Sequence, residues 1–418
     1  MKRKTGRVAS HYVFVVIAVA GALGIVSQLL RGTMGVIAPD MMRDLGFGPE
    51  RLGLLTGCFF LAYACMQVPM GVLLDRYGPR RVVTTFLGIA AAGTIVFALA
   101  DAYAGLVAGR VVMGIGAAAL YMGGFTLLVR WIAPERYMRV AAAMVTIANV
   151  GSLFATTPFA ATAELVGWRG AFLVIAGIAA IIAAVMLLAV RDWPPGDARS
   201  GRPVETIIDS LKGVIAIISD KRIQRVCVLA LVTYPTIASV FVLWGGPYLN
   251  DIHGLDAIDR GNVLLLMAVA VSIGPIVFSW IDARLGARRT VLLGCGLHTT
   301  ALLGLALVQG PPLILVEVLF VALGLSGGYN LLLPAVSRFF FADSMAARVM
   351  TTITVFIIGG VALFQAATGF IVGAFPGPDG TPSETAYRLM YGFLALAMVV
   401  GVAVFSRISE FSIHRREP

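Results

Sequence analysis

A chain of 418 residues that is 59% hydrophobic and only 13% charged, with a mean hydropathy of +0.91, cannot cover itself with polar surface in water, where soluble domains carry about 25% charged residues. It reads as an integral membrane protein, which excludes disordered, collagen-like, disulfide-rich secreted and ordinary cytosolic classes. The formal charge of +10 does not by itself mean nucleic acid, because the placement of the charges decides its meaning.

Twelve apolar stretches follow one another, near 12–40, 50–74, 81–100, 103–130, 138–163, 169–190, 224–249, 261–281, 290–309, 311–337, 346–374 and 385–406. Each is long enough to cross about 30 Å of hydrocarbon as a helix, so the expected fold is an all-α polytopic membrane protein. Assigning the connections alternately to two sides places 25 basic residues on one side. These are Lys2, Arg3, Lys4 and Arg7, then Arg76, Arg80 and Arg81, then Arg130, Arg136 and Arg139, and seven between 191 and 225. Arg284, Arg288, Arg289, Arg338, Arg348, Arg407, Arg415 and Arg416 complete that side, whereas the other holds five: Arg43, Arg51, Arg169, Arg260 and Arg388. The positive-inside rule makes both termini cytoplasmic. The excess charge is therefore a topology signal, and no nucleic-acid partner is expected. Only Arg31 and Arg110 belong to no loop.

The start of the chain imitates a signal peptide, with Lys2-Arg3-Lys4 ahead of an apolar run. That run is too long for a signal core and lacks a small-residue cleavage site near 25–32, so it is expected to be retained as the first membrane helix. Cys58, Cys65, Cys227 and Cys295 all fall within spans and show no metal-ligand spacing, which reads as buried packing thiols. The long polar interruption at 191–222 divides the spans six and six. The expected domains are thus an N-terminal bundle over 1–190, a cytoplasmic linker over 191–222 and a C-terminal bundle over 223–418. Val204–Ser219 alternates at helical spacing, which suits either an amphipathic helix on the leaflet or a plain covalent linker.

An internal repeat relates the halves. Asp75-Arg76-Tyr77-Gly78-Pro79-Arg80-Arg81 follows the second span, and Asp282-Ala283-Arg284-Leu285-Gly286-Ala287-Arg288-Arg289 follows the eighth, at an offset of 208 from Arg76 onward. After the fourth and tenth spans, 133–140 corresponds to 342–349 at an offset of 209. Two six-helix bundles with equivalent loops on one side imply a pseudo-two-fold axis along the membrane normal, an architecture used by alternating-access carriers.

On these residues the chain resembles the major facilitator superfamily. Gly71-Val72-Leu73-Leu74-Asp75-Arg76-Tyr77-Gly78-Pro79-Arg80-Arg81 is similar to that family's loop between helices two and three, departing at Pro79, where a basic residue is usual. The resemblance implies a conformational latch formed by Gly71, Asp75, Arg76, Gly78, Arg80 and Arg81, with Asp282 and Arg284 as repeat equivalents. Gly71 and Gly78 suit a close helix approach and a tight turn, and Asp75 can face the positive end of a neighbouring helix. Leu30-Arg31-Gly32-Thr33, Ala38-Pro39-Asp40, Asp44-Leu45-Gly46 and Phe59–Gly71 look like the organic-anion (anion:cation symporter) branch. Several of its members use arginines on helices one and four for carboxylates. Two departures stand out: the acid that often precedes the helix-one arginine is Leu30 here, and the acid after the helix-four glycines is replaced by Ala117 and Ala118.

Counting rise, Arg31 and Arg110 each sit roughly 12–13 Å deep, near the bilayer centre. A charge there faces a polar cavity or a partner, and no acid lies in the N-terminal spans, so a bound anion fits. For Arg110 the rival is a cap on internal carbonyls or a polar network between helices. The expected function is secondary transport of a small organic anion, a carboxylate above all, across a bacterial cytoplasmic membrane by alternating access, with protons as a coupling ion. Proton-driven efflux of hydrophobic compounds and uniport of peptides or siderophore-like compounds are the alternatives.

Cavity candidates are Gln28, Tyr63, Gln67, Tyr121, Asn149, Tyr234, Trp244, Tyr329, Asn330 and Gln365, each also able to serve as a helix–helix hydrogen bond. Glu317, an acid within a span, and His298 are the candidates for proton coupling; both have a bland rival, a solvated carboxylate and a packing ring. Gly245-Gly246-Pro247 and Gly327-Gly328 read as bend points. With no Walker loop, metal cluster or Ser/His/Asp set, no cofactor, metal or enzymatic activity is expected, and the carrier is expected to act as a monomer in the lipid bilayer.

Overall fold

The computed structural model describes residues 2–194, 206–333, 346–377 and 380–407. Residues 342–345 of the second repeat pair, Arg338 and the C-terminal Arg415 and Arg416 lie outside the described residues, as do the side chains of Lys2, Arg3, Lys4, Arg7 and Arg348. Twelve helices among the described residues are long and apolar enough to cross a membrane. Their outward faces stay apolar, with Leu165 85% and Leu188 81% exposed. That pattern suits a hydrocarbon solvent rather than water.

In the N-terminal half the helices are α1 (Lys2–Gly32), α2 (Met34–Leu45), α3 (Pro49–Tyr77), α4 (Pro79–Ala98), α5 (Tyr103–Trp131), α6 (Pro134–Phe154) and α7 (Thr157–Ala189). α8 (Ile207–Ile218) occupies the linker. The C-terminal half comprises α9 (Lys221–Ala238), α10 (Gly245–His253), α11 (Ala257–Leu285), α12 (Ala287–Leu307), α13 (Leu313–Ser326), α14 (Ala346–Gly373) and α15 (Glu384–Ser406). Proline opens α3, α4 and α6 at the first helical position, where its missing N–H costs nothing. Side-chain caps from Thr206 and Asp256 start α8 and α11.

The spans are interrupted where sequence reading joined them. The stretch 12–40 breaks at Thr33, giving α1 and the shorter α2. The stretch 138–163 breaks after Phe154, and the chain re-enters a helix at Thr157-Pro158 before kinking at Gly167 (φ 73°). The seventh span carries a π-helical turn over Ser239–Trp244 immediately before Gly245-Gly246, and a 3₁₀ turn spans Gly327–Leu331. Both glycine pairs expected to bend thus sit at changes of helical pitch. The repeat is visible in the backbone: Gly78 (φ 80°, ψ 153°) and Gly286 (φ 77°, ψ 157°) hold the same left-sided conformation at equivalent turns. Only glycine adopts it without strain.

One end of the bundle carries the basic turns at 76–81 and 284–289; the other is the far end. Close backbone approaches between the halves cluster at the far end. A Cβ on Gly53 of α3 would fall 2.8 Å from Gly369 Cα of α14, and one on Gly35 of α2 would fall 3.0 Å from the Phe241 carbonyl. Thr157 donates to Asn262 Oδ1 at 2.9 Å across the same junction. The far end is closed. At the basic end α8 packs on both α3 and α14, burying Gly213, Val214 and Ile217 while leaving Ile207, Ile208, Leu211 and Ile215 exposed.

Candidate functional site

Arg31 sits one residue before the end of α1, where Gly32 and Thr33 break the helix and free the side chain to lie across the bundle. Its Nη2 donates to Ser27 Oγ at 2.6 Å and its Nε to the Ser27 carbonyl at 3.2 Å, one turn back. Those bonds fix the stem and leave the guanidinium face for aromatic rings. The Tyr63 ring of α3 is 5.0 Å from the guanidinium carbon, and the Tyr121 ring of α5 is 5.3 Å away. The hydroxyl of Tyr234, from α9 in the other half, reaches the same group. Helices of both halves thus converge on one cation. Face-on aromatic contacts are worth about 2 kcal/mol when desolvated. Every neighbour is neutral: among the described residues, no acidic side chain forms an ion pair with Arg31.

Arg110 is placed differently. It is fully buried in α5; its Nη1 donates to the Leu30 carbonyl at 3.2 Å and its guanidinium stacks 4.4 Å from the Phe59 centroid. Its Nε and Nη2 have no hydrogen-bond partner. The two arginines thus differ in setting: Arg31 is half-buried among phenols, and Arg110 is fully enclosed. They rest on consecutive rings of α3, since Phe59 and Tyr63 stack at 6.3 Å. The Leu30 carbonyl takes the position next to Arg110, while the Leu30 side chain is buried in the core. Depth along a helix is legible from rise, whereas rotation about it, which decides what each guanidinium faces, is not.

The other candidates divide. Gln28 donates to Ser152 Oγ at 2.8 Å, linking α1 to α6. Gln67 is buried one turn from Tyr63, with its amide nitrogen unpartnered, and Asn149 is half-buried on α6. Trp244 donates to Thr368 Oγ1 at 2.7 Å and packs on Tyr387. Tyr329 is enclosed by Phe278 and His298, and Asn330 donates to the Gly327 carbonyl at 3.1 Å, inside its own turn. Gln365 is fully buried at the α3–α14 junction, with neither amide atom bonded. His298 is fully buried against Thr236 Oγ1 at 2.8 Å, the packing alternative for that ring. Glu317 is half-buried on the second turn of α13.

The basic turn at 76–81 is engaged through the segment after α7. Arg80 donates its backbone N–H to Asp192 Oδ1 at 2.8 Å and its guanidinium to the Leu187 carbonyl. Arg130 Nη2 donates to the Leu74 carbonyl at 3.1 Å, stacks on Trp193 and lies near Asp75. Arg76 stacks on Tyr77 and Arg284 on Trp280, whereas Arg81 is exposed and Asp282 half-buried. No atom lies within 4 Å of a Cβ built on Gly71, so the expected close helix approach there is not formed in this state. Residues 191–193, read from sequence as the start of a linker, are instead the partner of this turn.

Sequence reading also missed Arg260, which it assigned to a far-side loop. Arg260 is 1% exposed and donates to Asp40 Oδ2 at 2.8 Å, Asn250 Oδ1 at 2.6 Å and the Val36 carbonyl at 3.2 Å. It borders a far-end cleft of about 610 Å³ lined by Asp40, Asp44, Glu164 and Asp256 among others. In the structure it is the fourth residue of α11, on the first turn, where sequence alone does not distinguish a free loop cation from a buried one.

Comparison with known proteins agrees with this geometry. Residues 20–364 match the family model described as Major Facilitator Superfamily. The chain is 26% identical over 382 residues to a candidate tartrate transporter of Agrobacterium vitis, covering 85% of this chain and 83% of that one. It is 25% identical over 304 residues to a candidate galactarate/D-glucarate transporter of Escherichia coli (strain K12), covering 63% and 66%. A solved bacterial homologue of the human lysosomal transporter Spinster superposes with a TM-score of 0.80 at 16% identity, covering 94% and 96%.

Proposed function

The chain belongs to the Major Facilitator Superfamily, whose members are transporters and not enzymes, and from that premise we propose that it carries a small organic anion, a hydroxylated carboxylate, by alternating access. One observation carries this reading: Arg31 lies where the two halves meet, ringed by Tyr63, Tyr121 and Tyr234, with no acid against it. A guanidinium offers a planar fork matched to a carboxylate, and three phenols supply donors and acceptors for substrate hydroxyls. The relatives named for tartrate and for galactarate/D-glucarate support a substrate of this chemistry.

The mechanism follows from the closures. The far end is sealed by the α3–α14 approach and by the Arg260–Asp40 pair. With the basic end facing the cytoplasm, a carrier sealed at the far end would receive substrate at Arg31 from the inside. Drawing Tyr234 of one half and Tyr63 and Tyr121 of the other around a bound carboxylate pulls the halves together over the site. Opening the far end then exposes the same site outward. The exposed isoleucine face of α8 suits the inner leaflet of a bacterial cytoplasmic membrane. A monomer contains the complete site.

The test is binding and uptake on purified, reconstituted protein. D-glucarate and L-tartrate are expected to raise the melting temperature of the wild type, and Arg31→Ala is expected to lose both that stabilisation and uptake into proteoliposomes. Unchanged uptake by Arg31→Ala at equal expression would overturn the assignment.

A further inference from the structure

We propose that the protein works as an anion exchanger, resting on the anion-carrier reading above: it reorients readily when an anion neutralises Arg31 and poorly when the site is empty. The observation is the charge balance around the cation. Arg31 contacts Ser27 and the phenols Tyr63, Tyr121 and Tyr234, all neutral. A second cation, Arg110, lies behind it, bonded only to the Leu30 carbonyl, with two of its nitrogens unpartnered. Leu30, next in the chain to Arg31, is fully buried and apolar, as are Ala117 and Ala118, two turns along α5 from Arg110. At the far end, Asp40 is already held by Arg260 at 2.8 Å and Arg43 at 2.9 Å.

The consequence is electrostatic. In the structure Arg31 is half-buried beneath a closed far end. To expose the site on the other side, the halves must pass through a state closed at both ends, in which Arg31 loses its remaining water. A cation without a counter-charge in such a medium is costly, whereas a bound carboxylate offsets that cost with charge-assisted hydrogen bonds. Proton-coupled carriers meet the same problem with an internal carboxylate that the returning empty carrier can use. This centre has none among the described residues, so the return step is served by a second anion. Each turnover then moves one anion in and one out, with no net charge transferred when the two are alike.

The experiment uses the full chain in liposomes with radiolabelled D-glucarate and L-tartrate as probes. Vesicles preloaded with the unlabelled anion are expected to take up label roughly tenfold faster than empty ones, the effect of about 1.4 kcal/mol on a barrier. That rate should not change when a potassium diffusion potential or a pH gradient is imposed. Equal rates into empty and loaded vesicles, or accumulation in empty vesicles driven by a pH gradient, would overturn the exchange proposal. A melting-temperature measurement on the same preparation separates the two readings. Stabilisation by the probes with equal rates overturns exchange alone, and the absence of any stabilisation across carboxylates overturns the anion reading and exchange with it.

Discussion

Arg260 of α11 and Asp40 of α2 meet at 2.8 Å across the junction of the two halves, one 98% and the other 61% shielded at the side chain. Because Asn250 and the Val36 carbonyl hold the same guanidinium, this is a three-sided clasp and not a surface pair. Surface pairs contribute about 0–1 kcal/mol; here Arg260 is buried while Asp40 is partly exposed and keeps Arg43 at 2.9 Å, so losing Arg260 costs about 1.5–3 kcal/mol, the range of a hydrogen bond to a charged group. That cost falls on the far-closed state, where the clasp exists.

Arg260→Ala is therefore expected to shift the carrier toward its far-open state. A cysteine at Ile37, which is 1% exposed and lines the far cleft, reports the shift. Labelling of Ile37→Cys by a membrane-impermeant maleimide should accelerate at least about tenfold when Arg260→Ala is added, in line with a loss of 1.4 kcal/mol or more. No acceleration would show that the clasp does not hold the end shut.

Ser27 offers a sharper probe of the central cation. Its Oγ already accepts from Arg31 Nη2 at 2.6 Å, so Ser27→Asp places a carboxylate directly on the guanidinium. The built-in pair competes with substrate, and D-glucarate should bind at least about tenfold more weakly, a charge-assisted bond being worth about 1.5–3 kcal/mol. Ser27→Ala removes only a neutral partner and should bind within about threefold of the wild type, the lower end for a neutral hydrogen bond. Melting-temperature titrations of both variants check the contrast; equal behaviour would mean that Arg31 does not receive the anion.

The architecture was legible in the sequence because the bilayer imposes a length and the leaflet a charge bias. Twelve stretches, a midpoint linker and a repeat at offset 208 correspond to the twelve spanning helices and to matched turns at Gly78 and Gly286. The candidate site was legible only in part. Arg31 announced itself through the cost of a charge at mid-depth, and Tyr63, Tyr121 and Tyr234 through being polar aromatics on facing spans. Arg110 shares that depth yet points into the bundle, and Trp244, Tyr329 and His298 are core fillers with internal partners. Nothing in the spacing of one helix fixes its rotation against another. Arg260 and Asp192 were hidden for the opposite reason: each sits at a span end, where a free loop charge and a clasp look alike until the partner helix is placed.

Tyr63 separates ring from hydroxyl. Its ring lies 5.0 Å from the Arg31 guanidinium, so Tyr63→Phe keeps the stacking and Tyr63→Leu loses it. Loss of a desolvated cation–π contact of about 2 kcal/mol should weaken anion binding by Tyr63→Leu by roughly thirtyfold at RT of about 0.6 kcal/mol. Tyr63→Phe should stay within about fivefold, a single neutral hydrogen bond. Isothermal titration with D-glucarate distinguishes them; if both fall equally, the hydroxyl and not the ring serves the site.

Gly53 tests the closure itself. A Cβ there would lie 2.8 Å from Gly369 Cα and would press on the Gln365 carbonyl, both main-chain atoms that cannot swing aside as a side-chain tip can. Gly53→Leu should thus forbid the far-closed packing of α3 on α14 while leaving each six-helix half intact, because the clash lies between the halves. The expected carrier stays open at the far end: it labels rapidly at Ile37→Cys, binds anion through Arg31 from that side, and fails to transport. The pairing of retained stabilisation by D-glucarate with lost uptake is the decisive readout, since a misfolded variant would lose both. Retained transport by Gly53→Leu would mean that the α3–α14 approach is not required for the cycle.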